Sequence, residues 1–346
     1  MFYGVYRHEI QRNSAEMRLV MVQMIQTLEG SFVQRPLTFE LSPIAPFCLE
    51  FTVWGLRRRP ENQVDRWDGT TYRRVICIRG RPAEVRVSER GSREAPRLEV
   101  NVIGERVHAG TKAEVRALLT HLLGLQVDLK PFYGMASREP KLRELAERYR
   151  GLKPGRFPTV FETLANAFAC QQFTIAAGLQ LLNRLVRRGS VGLKTQAGMV
   201  FGFPEPSDLL RVSPRTFRNL GFSGQKTKAF RELSRKLVAE PLALDTLTNR
   251  KNEDAINFLL ELRGVGRWTA EYVLLRGLGR LDVFPGDDVG ARNRLAKWLH
   301  RSEPMNYASV RRTVKRWQPY AGFIYFHMLM ESLTATGKLC VGQTPT

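Results

Sequence analysis

Metal-binding and disulfide chemistry have little to work with in this chain. Four cysteines, Cys48, Cys77, Cys170 and Cys340, are scattered through 346 residues, and no two form a C-x-x-C pair. That spacing excludes the common zinc and iron–sulfur ligand sets and a disulfide framework, and it suits a reducing, cytoplasmic setting. No apolar run is long enough to cross a membrane, so no membrane partner is expected. The opening residues, MFYGVYRHEIQRNSAEM, lack the charge-then-apolar order of a secretory signal. Negative charge is scarce too: 33 acids stand against 54 lysines and arginines, for a net charge of +21. Such an excess points to a polyanionic partner, nucleic acid ahead of an anionic membrane surface. At this length, with 43% hydrophobic residues, the chain has room for two domains and a sizeable core.

Taken in order, the chain divides at about residues 36 and 126. Residues 1–36 are Met-rich and conform to no clear pattern, so they read as an extension, with Met17, Met21 or Met24 as alternative starts. Residues 37–126 predict a small α+β domain. Its strand-like runs are Phe51–Leu56, Tyr72–Ile78, Ala83–Ser88 and Leu98–Ile103, parted by Gly, Pro and Arg-rich turns, with a closing helix at Lys112–Leu123. Trp54 and Trp67 read as core or turn residues. Residues 127–333 predict helices only, from Lys141–Tyr149 to Tyr320–Leu333, punctuated by Gly and Pro and often started by Ser, Asn or Pro. Residues 334–346 are a tail. Basic residues cluster in this half, at Arg211–Lys236 and at Arg311, Arg312, Lys315 and Arg316. Each cluster suits either a solvated helix face or a DNA footprint.

Residues 252–289 carry the most information. Asn252 is placed to cap a helix whose first turn holds Glu253 and Asp254 and whose apolar face is Ile256, Leu259, Leu260 and Leu262. Arg263-Gly264-Val265-Gly266 cannot continue that helix, and Trp268 to Leu278 resumes the apolar period. A Gly-Val-Gly hairpin ahead of a helix lets backbone N–H groups and the positive end of the dipole meet a phosphate oxygen. It can also be an ordinary helical hairpin. Arg267 follows, and Asp287 and Asp288 come about twenty residues on.

The run LRGVGRWTAEYVLLRGLGRLDVFPGDD closely resembles the helix-hairpin-helix, Gly-Pro-Asp signature of base-excision DNA glycosylases. Within that superfamily it is most similar to the 3-methyladenine DNA glycosylase II type, and weaker similarity runs from about Leu37 to about Ser332. The resemblance implies an antiparallel sheet domain packed beside an all-α catalytic domain. It implies a monomeric, cofactor-free enzyme that flips alkylated purines out of double-stranded DNA and leaves an abasic site. Gly264, Val265, Gly266 and Arg267 are then DNA-binding, and the hairpin carbonyls can hold a monovalent cation.

The same resemblance assigns roles to the remaining candidates. Asp288 matches the catalytic aspartate, a carboxylate that can stabilise oxocarbenium charge on the sugar and orient water. Its neighbour Asp287 reads as a cap or loop-shaping residue. In bifunctional relatives a lysine two residues after the second hairpin glycine forms a Schiff base. That position is Trp268 here, so base release without strand nicking is expected. Trp268 and Tyr272, four apart on one helix face, match the aromatics that wall the base pocket, although helix core is the alternative. Gln172, within Cys170-Gln171-Gln172-Phe173-Thr174, matches the wedge that fills the gap left in the duplex; a turn residue is the alternative. The family's pocket tryptophan on the last helix is replaced by Leu329, with Phe323, Tyr325, Phe326 and His327 nearby. Two rival functions remain: an 8-oxoguanine-type glycosylase with lyase activity, and a non-catalytic helix-hairpin-helix DNA clamp. Asp288 argues against the clamp, because a carboxylate facing a polyanion costs affinity.

Overall fold

The structure is a computed structural model that describes residues 36–340, apart from 79, 105, 106, 109, 196, 197 and 242. The expected extension and the last six residues of the tail lie outside the described residues. From Leu37 onward the chain forms one compact unit.

Five antiparallel strands, β1 (Leu37–Leu41), β2 (Arg66–Trp67), β3 (Thr71–Ile78), β4 (Arg81–Ser92) and β5 (Ala95–Gly104), lie in the order β1-β5-β4-β3-β2. Alternation decides which face is inside. In β5, Leu98, Val100 and Val102 are buried while Arg97, Glu99 and Asn101 turn outward. Val100 lies opposite both Val87 and Phe39, and Val102 opposite Val85, so apolar pairs stack across the sheet. Helix α2 (Thr111–Leu122) covers this face with Val115, Leu119 and Leu122, which share one side of the helix.

One expected strand is a helix. Residues Leu49–Arg57 form α1, although Phe51–Leu56 reads as β from its aromatic and β-branched content. The reason is two-sided burial. Leu49, Val53 and Leu56 face the sheet core, whereas Phe51 and Trp54 join the core of the helical half. With both faces apolar, the 3.6-residue period cannot be seen in the sequence.

The helical half contains α3 (Lys130–Ala136), α4 (Pro140–Arg148), α5 (Val160–Cys170), α6 (Ile175–Gly189), α7 (Pro206–Arg211), α8 (Pro214–Asn219), α9 (Gly224–Ala239), α10 (Asn252–Leu260), α11 (Arg267–Arg276), α12 (Val289–Trp298), α13 (Tyr307–Val314) and α14 (Ala321–Ala335). Side-chain caps start several of them: Thr159 accepts from the Glu162 N–H, Thr174 from Ala177 and Ser223 from Lys226. The expectation of helices alone fails at a small hairpin, β6 (Gly192–Thr195) with β7 (Gly198–Phe201). Its strands are too short and glycine-rich to show a period of two.

Sheet and helices share a buried ionic cluster. Arg74 of β3 pairs with Asp65 at 2.7 Å and with Glu162 of α5 at 2.5 Å, while Tyr72 donates its hydroxyl to Asp65 at 2.7 Å. All four side chains are buried. One guanidinium answering two carboxylates keeps charges tolerable that neither region could bury alone.

Candidate active site

The hairpin joins α10 to α11. Asn252 does not cap α10, as the sequence suggested; Lys251 holds that position. Asn252 instead donates to Asp282 at 2.6 Å and accepts from Arg280 at 2.7 Å, tying the helix start to the later loop. The two glycines differ. Gly264 has φ +82, and a Cβ there would sit 2.9 Å from the Ala229 Cβ, so both backbone conformation and packing require glycine. Gly266 is exposed with φ −101, and a Cβ would meet nothing within 4 Å. It opens α11, whose first-turn N–H groups have no intrahelical acceptor.

Val265 is buried in the core formed by α5, α9, α10 and α11, and its N–H donates to the Leu262 carbonyl at 3.1 Å. Its side chain is therefore an anchor and not a DNA contact. Arg267 is also occupied. It reaches the Tyr307 hydroxyl at 2.9 Å, Glu271 at 3.2 Å and Glu253 at 3.4 Å. The carbonyls of Leu262 and Gly264 accept from the Val265 N–H and the Gln171 amide, one hydrogen bond each.

Glu271 explains how the following loop is placed. Its carboxylate is buried on α11, accepts from the Tyr307 hydroxyl at 2.6 Å, and accepts the Gly286 N–H at 3.0 Å. Burial pushes its pKa up, opposed by its hydrogen bonds to Tyr307, Arg267 and Gly286. Thus the hairpin helix itself holds the Pro-Gly turn that delivers Asp287 and Asp288.

The two aspartates exchange their expected parts in one respect. Asp288 is the N-cap of α12, with Oδ1 accepting the Ala291 N–H at 2.8 Å. Asp287 is exposed and lies 4.0 Å from Arg292. The Asp288 Oδ2 accepts from the Tyr325 hydroxyl at 2.9 Å and sits 3.4 Å from the Trp268 Nε1–H. Burial and the nearby Asp288 hold the Tyr325 hydroxyl well above the usual tyrosine range, so it remains a donor.

This carboxylate lines a cleft of about 950 Å³. Trp268 and Tyr272 line it as well, stacked on each other at 5.6 Å, with Leu329 and Tyr325 contributed by α14. Tyr272 is buried and borders the cleft at once, so the choice between core and pocket is a false one for it; Leu329 is also buried and lines the cleft. Gln172 reaches the rim with a left-handed backbone, φ +58, an uncommon conformation for a non-glycine residue. The loop around it is pinned from behind. Lys226, buried on α9, donates to the carbonyls of Ala169 and Gln171 and lies 4.0 Å over the half-exposed Phe173 ring. Gln171 donates to Gly264 and Thr269, which couples the loop to the hairpin. The first basic cluster therefore divides. Lys226 and Arg231 hold backbone carbonyls, whereas Arg211, Arg215, Arg218, Lys228 and Arg235 face solvent.

Sequence reasoning missed the arginines of this cleft, Arg58, Arg59, Arg276 and Arg294. Arg58 follows α1 at φ +60 and donates to the Tyr272 hydroxyl at 3.2 Å and to Asn166 at 2.5 Å. Nothing local marks it. Arg276 was readable, for Trp268, Tyr272 and Arg276 recur every four residues on α11 and so share one face.

Residues 165–319 match the family model of the HhH-GPD superfamily base excision DNA repair proteins. The chain is 28% identical over 222 residues to a DNA-3-methyladenine glycosylase of Bacillus subtilis, covering 63% of this chain and 73% of that one. It is 26% identical over 216 residues to DNA-3-methyladenine glycosylase 2 of Escherichia coli, covering 62% and 71%. Among solved structures, the 3-methyladenine DNA-glycosylase from Archaeoglobus fulgidus matches with a TM-score of 0.74 and 25% identity, over 87% of this chain and 100% of that chain.

Proposed function

We propose that the chain is a monofunctional DNA N-glycosylase that flips an alkylated base out of duplex DNA, hydrolyses its bond to the sugar and leaves an abasic site. The observation that carries this reading is the Asp288 carboxylate, held by Tyr325 at the edge of an aromatic cleft of base-accommodating size. As the C1′–N bond stretches, positive charge builds on the sugar, and a fixed carboxylate stabilises it without reorganising. The same oxygen can take a proton from the attacking water. The N–H groups that open α11 at Gly266 grip a backbone phosphate, and Gln172 fills the gap in the stack. Double-stranded DNA is the partner, and the cytoplasm is where that substrate would be met.

A lyase of the 8-oxoguanine type needs an amine at the sugar, and Trp268 occupies that position. Lys226, buried behind the rim loop, keeps its amine on two carbonyls. The test is base release from duplexes that each carry one lesion, 3-methyladenine, 7-methylguanine, hypoxanthine, ethenoadenine or 8-oxoguanine. Release of at least one alkylated base, with strands that break only on alkaline heating, is expected. Failure to release any alkylated base would remove this reading.

A further inference from the structure

One short helix serves both ends of the proposed site. The first turn of α11 begins after Gly266, where the phosphate is gripped, and Glu271 lies one turn further on, roughly 7 Å along the axis. Glu271 is 4% exposed, and both of its carboxylate oxygens are engaged. Oε1 accepts from the Tyr307 hydroxyl at 2.6 Å and from the Arg267 Nε at 3.2 Å, and Oε2 accepts the Gly286 N–H at 3.0 Å. Tyr307 seats the same glycine with its ring, since a Cβ at Gly286 would meet two ring carbons at 2.9 Å. The turn closes where the Asp288 N–H donates to the Pro285 carbonyl at 3.1 Å. Gly286 therefore fixes a piece of chain that ends on the proposed catalytic group.

A buried carboxylate carries a desolvation cost that an apolar side chain of its size would not. It does what an apolar residue cannot: one group collects donors from the start of α11, the start of α13 and the aspartate turn. Tyr325 and the Ala291 N–H orient the Asp288 oxygens, but from α14 and α12. From α11 itself the Trp268 Nε1–H stands 3.4 Å away, longer than a well-formed bond. Among the described residues, the Glu271–Gly286 bond is the firm link from the hairpin helix to the turn.

We infer that Glu271, braced by Tyr307, is a positioning residue that sets the distance between the gripped phosphate and the Asp288 carboxylate. It governs the rate of base release and not the affinity for DNA. The inference rests on the glycosylase reading and deepens it. With the phosphate seated at one end of a rigid helix and the aspartate turn clamped one turn on, the flipped sugar meets the carboxylate in a fixed place. A misplacement of about 1 Å at a reacting group lowers a rate on the order of 10²-fold.

The test follows single-turnover base release against protein concentration for the full chain, Glu271→Gln and Tyr307→Phe. The substrate is a duplex with the lesion, of those named above, that the unmodified protein releases fastest. The saturating rate reports chemistry and the half-saturating concentration reports binding. In Glu271→Gln the saturating rate should fall on the order of 10–100-fold, while half-saturation and its salt dependence hold. Tyr307→Phe should lose about 2–10-fold in rate, the worth of one hydrogen bond, because the ring still seats Gly286. Amide exchange gives a readout without catalysis: the Gly286 N–H should exchange faster in Glu271→Gln, and the Val265 N–H of the hairpin should not. A native saturating rate in Glu271→Gln overturns the inference and leaves the glycosylase reading standing. Equal losses of rate and binding, or a rate that falls only with the folded fraction, would make Glu271 a residue of stability alone and overturn it too. If the unmodified protein releases none of those lesions, both readings fail together. Where Glu271→Gln does not fold, Tyr307→Phe decides by the same split of rate from binding.

Discussion

Tyr325 donates its hydroxyl hydrogen to the Asp288 Oδ2 across 2.9 Å, while the Ala291 N–H holds Oδ1 at 2.8 Å. The last helix and the start of α12 thus fix both carboxylate oxygens, so the proposed catalytic group needs no rearrangement to face a sugar.

Asp288→Asn should abolish base release and leave DNA binding intact. Asparagine caps helices as well as aspartate does, so α12 should still start correctly. The neutral amide cannot offset oxocarbenium charge, and a loss of at least ~10²-fold is expected for removing one fixed electrostatic group. Single-turnover release beside a gel-shift titration checks it. A variant releasing base at the native rate would show that another residue carries the chemistry.

The two hairpin glycines should separate binding from stability. Gly266→Val should leave the melting temperature nearly unchanged, because space is open there, yet weaken duplex binding and flatten its salt dependence as a phosphate contact is lost. Gly264→Val should instead lower the melting temperature, since its positive φ and the Ala229 contact exclude a side chain. Binding measured from 50 to 200 mM salt, an illustrative range for phosphate contacts, together with thermal unfolding, resolves the pair. An unchanged salt slope for Gly266→Val would make the hairpin a plain structural turn.

Reaction type follows from Trp268. Borohydride should trap no covalent protein–DNA adduct, because no lysine lies between Lys251 and Lys297. Stoichiometric, lesion-dependent trapping would reverse the assignment.

Arg74→Met should cost on the order of 3–5 kcal/mol, the penalty for leaving buried charge uncompensated at Asp65 and Glu162. Denaturant unfolding measures this, and a cost below ~1 kcal/mol, the scale of an exposed ion pair, would show that the cluster is not what joins sheet to helices.

Stability should fall in acid through His327. Burial on α14 lowers its pKa from 6.5 to about 4. A group whose folded pKa is depressed stabilises the fold above its unfolded value, and that contribution is lost as pH drops from about 6.5 through about 4. Melting temperature should therefore decline across that window, and His327→Phe should decline less. Parallel pH profiles would refute it.

The chemistry-bearing segment was legible because its signals are local. A glycine hairpin, aromatics four apart and an Asp pair need only their own spacing to be seen; the aromatics and the Asp pair line one cleft with Leu329 and Gln172, and the hairpin is tied to its rim through Gln171. The alternating faces of β3 to β5 were legible for the same reason. Where burial is two-sided, as in α1, helical period vanishes from the sequence and the element is misread.

Partnership is what tertiary structure alone decided. Whether Arg267 meets phosphate or Glu271, and whether Val265 faces DNA or core, depends on residues far along the chain. Arg58 is the sharpest case. It stands 214 positions from Tyr272, yet it donates to that hydroxyl inside the cleft. A side chain's charge is written in the sequence, but the acceptor it finds, or lacks, is set by which distant segments fold against it.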